Sequence, residues 1–300
     1  MSRAFCLAID WGTTSMRAWA LDVQGTVLGS YRGSRGMGAL TPGEYPKELQ
    51  LAQAALGLAS ATPTIICGMA GAAQGWVQVP YAELDTPFHV LPQKALQVPD
   101  TTGPVYILPG YCQRATGRQD VMRGEESILM GASAAGDGLY CLPGTHSKWA
   151  EINGGKLAGF STYMTGEMFD LMASKSVLRH FCEGSPVDAS SPEFKQAVRQ
   201  SFVAPGSVSN LLFTCRALPL VEGAKRQHQM ASRLSGLLIG LELSSQDTSK
   251  PVQLAAAGGL QAAYESALGT LGFSYQTFDP EAAVTRGLFL AAQNISGSIR

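Results

Sequence analysis

Apolar residues fall into short runs over the first sixty positions, and each run is closed by polar turn residues. Residues 4–9, 17–23 and 26–31 are three such runs, joined by DWGTTS and DVQG, and they predict a meander of three short strands. A glycine-rich stretch, RGSRGMGALTPGEY, follows. From about 46 to 60 the apolar positions of PKELQLAQAALGLAS recur at helical spacing, which predicts a helix. TPTIICGMAG then has the β-rich character of a further strand ending in glycine.

The opening pattern returns later in the chain. Residues 139–160, LYCLPGTHSKWAEINGGKLAGF, again hold an apolar strand, a Gly-Thr turn, a second strand, a tight NGG turn and a third strand. Gly12 and Thr13 align with Gly144 and Thr145, Ser15 with Ser147, Ala18 with Ala150 and, after a two-residue shortening, Gly29 with Gly159. One supersecondary unit used twice predicts two related lobes with equivalent turns facing each other across a cleft.

Between the copies, MRGEESILMGASAAG (122–136) reads as a helix with acids in its first turn, where they suit the positive end of the helix dipole. Residues 170–250 are mostly helical in pattern, interrupted by EGSPVDASSPE. VQLAAAGGLQAAYESALGTLG (252–272) predicts a strand, a Gly-Gly turn and a helix, and a last apolar helix begins at Pro280. The expected division is an N-terminal lobe of 1–137 and a C-terminal lobe of 138–300, with the last helix, about 281–293, returning to the hinge.

Composition narrows the class. With 300 residues, 45% hydrophobic and 15% charged, the chain suits two well-filled globular lobes. A net charge of -1 supplies no broad field for nucleic acid or an anionic membrane, so neither is an expected partner, and an anionic ligand must be held locally. The six cysteines are tens of residues apart with no CxxC pair, which argues against a zinc site, and a disulfide framework suits so large a chain poorly. With no signal-like or membrane-length apolar run, the expectation is a cytoplasmic protein. The sequence does not indicate an oligomeric state.

Two glycine turns bearing hydroxyls can cradle a polyphosphate: Gly12, Thr13 and Thr14 on one side, Gly144 and Thr145 on the other. An aspartate beside phosphates repels them unless a cation lies between, so Asp10 reads as a Mg²⁺ ligand, directly or through water. The second copy has Leu142 in place of Asp10, and its turn offers Lys148 as a point charge instead. Gly258 and Gly259 open a helix where a nucleotide can lie against the backbone. Each of these turns read alone is also an ordinary hairpin or close strand-to-helix contact. There is no GxxxxGK[ST], and no GxGxxG follows a strand.

Taken in order, DWGTTSMRAW, RGEESILMGA, LPGTHSKW, AAAGGL and AAVTRGLFLAA resemble the phosphate, connecting, second phosphate, adenosine and final connecting motifs of the actin, sugar kinase and Hsp70 superfamily. More narrowly, CGMAGAAQGW, DVMRGEES, LPGTHSKW and MTGE resemble the 2-dehydro-3-deoxygalactonokinase family. The resemblance implies an α/β chain of two ribonuclease H-like lobes. It also implies transfer of the ATP γ-phosphate to the 6-hydroxyl of 2-dehydro-3-deoxy-D-galactonate, with ATP and Mg²⁺ as cofactors and the sugar acid as small-molecule partner.

Kinases of this superfamily use a carboxylate near the start of the first connecting helix as base. Glu125, directly after Gly124, is the favoured candidate here, with Asp120 close behind and Glu126 a third. The substrate carboxylate calls for a guanidinium, and Arg17, Arg35 and Arg123 are the candidates. Trp76, Thr165 and Glu167 belong to the family phrases, the first and last being placed with the substrate site, and His146 either contacts phosphate or bonds within its turn. Two rival readings share the fold: a non-catalytic ATP-switched protein and a phosphohydrolase.

Overall fold

The structure is a computed structural model, and it describes residues 4–133 and 136–298. The chain forms two compact units that are not continuous in sequence. One holds the chain up to Asp137, Glu151–Phe160 and the segment from Pro280 onward; the other holds Gly138–Ala150 and Ser161–Asp279. Residues 151–160 and the last helix thus group with the first unit rather than with their sequence neighbours. The tip of the second meander groups with the first unit because Phe88 N donates to Gly155 O at 3.2 Å and Phe160 N donates to Gln113 Oε1 at 3.3 Å. The last helix joins that unit by packing on a helix within it.

In the first unit the three opening strands are β1 (Cys6–Trp11), β2 (Met16–Leu21) and β3 (Val27–Gly33), followed by α1 (Tyr45–Ala55) and β4 (Thr64–Gly68). β1 pairs antiparallel with β2 and parallel with β4, so its carboxyl end lies beside that of β4, with Asp10 opposite Cys67. The segment 72–121 carries elements that periodicity did not mark: β5 (Ala82–Glu83), β6 (Leu96–Gln97), β7 (Val105–Ile107), β8 (Tyr111–Gln113) and β9 (Asp120–Met122). The main sheet runs β3-β2-β1-β4-β7-β6, and β5-β8-β9 form a small separate sheet.

The helix expected over 122–136 is shorter. β9 takes residues up to Met122, Gly124 turns the chain at a φ of 112°, and α2 runs Glu125–Ala132; positions 134 and 135 lie outside the described residues. Within the same unit α2 meets α9 (Pro280–Ser298) so closely that a Cβ on Gly131 would overlap Ala283, and one on Gly287 would overlap Ser127. The core lies between β1, β2, β4, β7 and α1, around Leu7, Ile9, Trp11, Tyr45, Ile66 and Ile107.

β10 (Gly138–Leu142) opens the second unit, and β11 (Ser147–Asn153) and β12 (Lys156–Tyr163) follow, with residues 151–160 at their hairpin end grouping with the first unit. Five helices follow: α3 (Thr165–Lys175), α4 (Arg179–Cys182), α5 (Pro192–Val203), α6 (Val208–Glu222) and α7 (Met230–Leu243). β13 (Val252–Ala255), α8 (Gly258–Leu271) and β14 (Tyr275–Phe278) close it. The sheet order is β12-β11-β10-β13-β14, with β10, β13 and β14 parallel. This is the order of β3-β2-β1-β4-β7: a three-strand meander, then two strands parallel to its first. The shared order is the ribonuclease H-like arrangement of actin-like proteins, present twice. α7 is buried on all sides between two apolar clusters, one around Phe194, Leu254 and Tyr264, the other around Leu234 and Leu237. All six cysteines are buried and free. Among the described residues no helix is long and apolar enough to cross a membrane.

Candidate active site

The first turn follows β1 directly. Gly12 N donates to Ser15 O at 2.9 Å, and the hydroxyl residues Thr13, Thr14 and Ser15 are exposed. The glycine-rich loop braces this turn from behind. Met37 N and Gly38 N donate to the carbonyls of Gly12 and Thr13 at 3.0 and 2.9 Å, and a Cβ on Gly36 would overlap the Thr13 backbone. Only glycine permits that approach.

Asp10 and Arg17 are opposite each other in the β1–β2 ladder, and Arg17 Nη2 donates to Asp10 Oδ2 at 2.5 Å. The other face of the acid is glycine. A Cβ on Gly68, at a φ of 88°, would lie 3.3 Å from Asp10 Oδ1 and 2.6 Å from Trp11 O, so the carboxyl end of β4 leaves a small cradle beside the carboxylate. Gly124 stands against the same spot, since its Cβ would lie 3.4 Å from Gly68 Cα. Asp10, Gly68 and the start of α2 therefore meet at the carboxyl ends of two parallel strands, where α/β proteins place their ligands.

The three candidate carboxylates separate clearly. Glu126 is fully buried, accepting from Gly124 N at 2.6 Å and from Ser127 Oγ at 3.2 Å. Burial, with the neighbouring charge of Glu125, pushes its carboxyl up to about 8. Glu125 is half-buried at the first position of α2 and accepts from Arg123 N at 3.1 Å. Asp120 sits on β9, accepts from Val121 N at 2.7 Å, and lines a separate cavity of about 560 Å³ with Gln113, Arg114 and Gln119.

The candidate arginines differ in their commitments. Arg35 ties the glycine-rich loop to α1 through Glu44 at 2.6 Å and Glu48 at 3.0 Å, and its hydrogen bond holds the Glu44 carboxyl down at about 2. Arg17 is paired with Asp10, with Glu281 4.0 Å away. Arg123 lies 4.3 Å over the Tyr81 ring and donates from Nη2 to Val79 O at 2.7 Å, while its buried Nε and Nη1 have no partner among the described residues. Trp76 stacks on Tyr45 at 5.6 Å and meets Trp11 edge-on at 6.4 Å, as part of the core wall.

The second turn has different surroundings. Glu167 N donates to Thr145 O at 3.0 Å, the Glu167 carboxylate meets His146 Nε2 at 2.5 Å, and a Cβ on Gly166 would overlap Gly144. MTGE is thus the brace of this turn, as the glycine-rich loop is of the first. Ser147 and Lys148 are buried. Gly144 and Thr145 share a cavity of about 430 Å³ with Gly259 at the start of α8, walled by Thr165, Phe169, Leu238 and Tyr264. Gly258 adopts a φ of 60° with open space beside it. A cavity with a mixed apolar and hydroxyl lining, bounded by a glycine turn and a helix start, is a candidate ligand site.

One group under this pocket was not among the sequence candidates. Glu242, on α7, accepts from Trp149 Nε1 at 2.7 Å, from Tyr264 OH at 2.8 Å and from Thr165 Oγ1. Burial raises its carboxyl despite these donors. The available signal was a lone acid inside the apolar run SGLLIGLEL.

The model of the 2-keto-3-deoxy-galactonokinase family matches residues 10–291, nearly the whole chain. The chain belongs to that family. A protein of Rhizobium meliloti that carries the name 2-dehydro-3-deoxygalactonokinase is 40% identical over 96% of each chain, and the 2-dehydro-3-deoxygalactonokinase of Escherichia coli is 31% identical over 94% of this chain and 95% of its own. The crystal structure of a Sinorhizobium meliloti protein named for 2-dehydro-3-deoxygalactonokinase matches at a TM-score of 0.91 and 39% identity, covering 97% of both chains. Kinase membership makes the chain a phosphotransferase that takes ATP and a small sugar acid. It sets aside the phosphohydrolase and the non-catalytic switch.

Proposed function

We propose that the chain transfers the γ-phosphoryl group of ATP to the 6-hydroxyl of 2-dehydro-3-deoxy-D-galactonate, giving ADP and 2-dehydro-3-deoxy-6-phosphogalactonate. The observation that carries this reading is the cavity joining Gly144 and Thr145 to Gly259, in a chain of this kinase family. Adenosine lies along Gly258 and Gly259, and the phosphates reach the Gly144–Thr145 turn, with Lys148 as the nearby positive charge. The exposed hydroxyls and backbone of Gly12, Thr13 and Thr14 serve the terminal phosphate.

Mg²⁺ suits Asp10, because this ion is commonly held by one carboxylate plus waters and phosphate oxygens, and Gly68 leaves space beside that carboxylate. When bound, the ion neutralises charge on the phosphates. Arg17 holds Asp10 in one orientation.

Glu125 is the base. Glu126 is fully buried with its oxygens engaged, and Asp120 faces a different cavity, so Glu125 is the acid best able to meet an alcohol at the helix entrance. The 6-hydroxyl oxygen attacks the γ-phosphorus and its proton passes to the Glu125 carboxylate. The bond from that phosphorus to the bridging oxygen breaks, and ADP leaves. Arg123, with two uncommitted nitrogens, holds the substrate carboxylate. Arg35, Trp76 and Glu167 support the site through the loop, the core wall and the second turn.

A panel of 2-keto-3-deoxy sugar acids and plain hexoses, each with ATP and Mg²⁺, tests the reading. Turnover greatest with the galactonate supports it, and no turnover with any keto-deoxy acid sinks it.

A further inference from the structure

Four elements of the second unit converge on Glu242: β11 through Trp149, α3 through Thr165, α8 through Tyr264, and α7 itself. Two of these partners, Thr165 and Tyr264, wall the cavity, and Leu238, one turn before Glu242 on α7, walls it too. The network also reaches the turn: Ser147 Oγ lies 2.8 Å from Tyr264 OH. Because Tyr264 donates its proton to Glu242, Ser147 is the donor to Tyr264. The chain of donors therefore runs from the end of the phosphate turn, through the cavity wall, to one buried carboxylate.

Such a carboxylate accepts every hydrogen bond aimed at it and offers none, so it orients each donor at once. Thr165 is the first residue of α3, and that helix start is the one in which Gly166 meets Gly144 and Glu167 N binds Thr145 O. Moving the Thr165 hydroxyl shifts the brace of the turn. Moving Tyr264 shifts both Ser147 and the wall.

We infer that Glu242 is a positioning residue for nucleotide binding, holding the Gly144–Ser147 turn and the Thr165–Tyr264 wall in the shape that receives the adenosine and phosphates of ATP. The inference rests on the reading of this cavity as the ATP site. It makes Glu242 selective: it sets the affinity for nucleotide and leaves the acceptor site, built on Asp10, Glu125 and Arg123, unaffected.

The test is ADP binding by calorimetry, with KM for ATP and KM for the sugar acid measured on the same wild-type, Glu242→Gln and Tyr264→Phe proteins. Each substitution is expected to weaken ADP binding and raise KM for ATP by about tenfold, the scale of one lost hydrogen bond to a charged group. KM for the sugar acid stays within about twofold, since no bond at that site is lost. Tyr264→Phe keeps the ring and its packing, so it reports even where Glu242→Gln fails to fold. Folded Tyr264→Phe with wild-type ADP affinity and wild-type KM for ATP would overturn the inference, as would equal increases in both KM values. Wild-type protein that bound no ADP would instead overturn the assignment of the cavity to ATP, and this inference with it.

Discussion

The turns at 12–15 and 144–147 begin from nearly the same residues and do different work. In the first, Thr13, Thr14 and Ser15 are exposed and the preceding acid, Asp10, is held by Arg17. In the second, Ser147 is buried against Tyr264 and the residue aligned with Asp10 is the aliphatic, buried Leu142. Each turn is braced from outside by a glycine, Gly36 for the first and Gly166 for the second. The bracing is common to both copies, while the charged group is not: the first keeps its carboxylate at the strand end, and the second carries its acid, Glu242, beneath the pocket wall. The two units share a strand order and a glycine-braced turn, and they differ in where a carboxylate stands.

The two turns differ most at Asp10. Asp10→Asn should lower kcat/KM on the order of 10³-fold, as expected when a metal-assisted charge stabilisation worth several kcal/mol is lost. Steady-state rates across a Mg²⁺ titration check this, and wild-type turnover in the variant would remove Asp10 from the mechanism. Glu125→Gln should reduce kcat by about 10²-fold with little change in either KM, whereas Asp120→Asn should stay within about threefold. Equal losses in the two variants would erase the distinction between the α2 entrance and the β9 cavity.

Smaller effects are expected at the two glycine braces. Gly36→Ala and Gly166→Ala should each cost about 1–3 kcal/mol, because the added methyl is forced onto the turn backbone. Urea unfolding measures both, and a neutral result at either position would show that its brace gives way freely. The last effect is a dependence on pH. The folded carboxyl of Glu126 is raised to about 8, so between the ordinary carboxylate range and that value the folded state keeps a proton that the unfolded state has lost. Its stabilising contribution is present at low pH and is lost as pH rises through about 8. Across that window Glu126→Gln should gain on the wild type by up to about 1.4 kcal/mol per pH unit. A pH-independent difference would contradict the burial argument.

Much of the frame was legible from the chain. The two meanders, β4, α1, the strand–Gly-Gly–helix unit and the start of α9 follow from runs of apolar residues long enough to carry a period. The turn at Gly144–Thr145 and Gly259, which line one cavity, were visible as glycine next to hydroxyls or small residues. The strands between 82 and 122 were not, because elements of two or three residues have no period to read. Helix α2 was overextended for a related reason: its acids and apolar residues fit a helix from 122, and only the φ of Gly124 shows where the strand stops. The commitments of Arg17 and Arg35 depend on a strand ladder and a folded loop rather than on a local motif, and the surroundings of Glu242 depend on partners distant in sequence. Trp149 is 93 residues from Glu242, and no local pattern joins them.

Acceptor-dependent phosphoryl transfer can be followed by phosphorus NMR of the protein with ATP, Mg²⁺ and 2-dehydro-3-deoxy-D-galactonate. One new phosphomonoester at C6 should appear in step with ADP, with no free phosphate when the sugar acid is omitted. Phosphate released equally with and without the sugar acid, or ATP left intact in its presence, would contradict acceptor-dependent transfer.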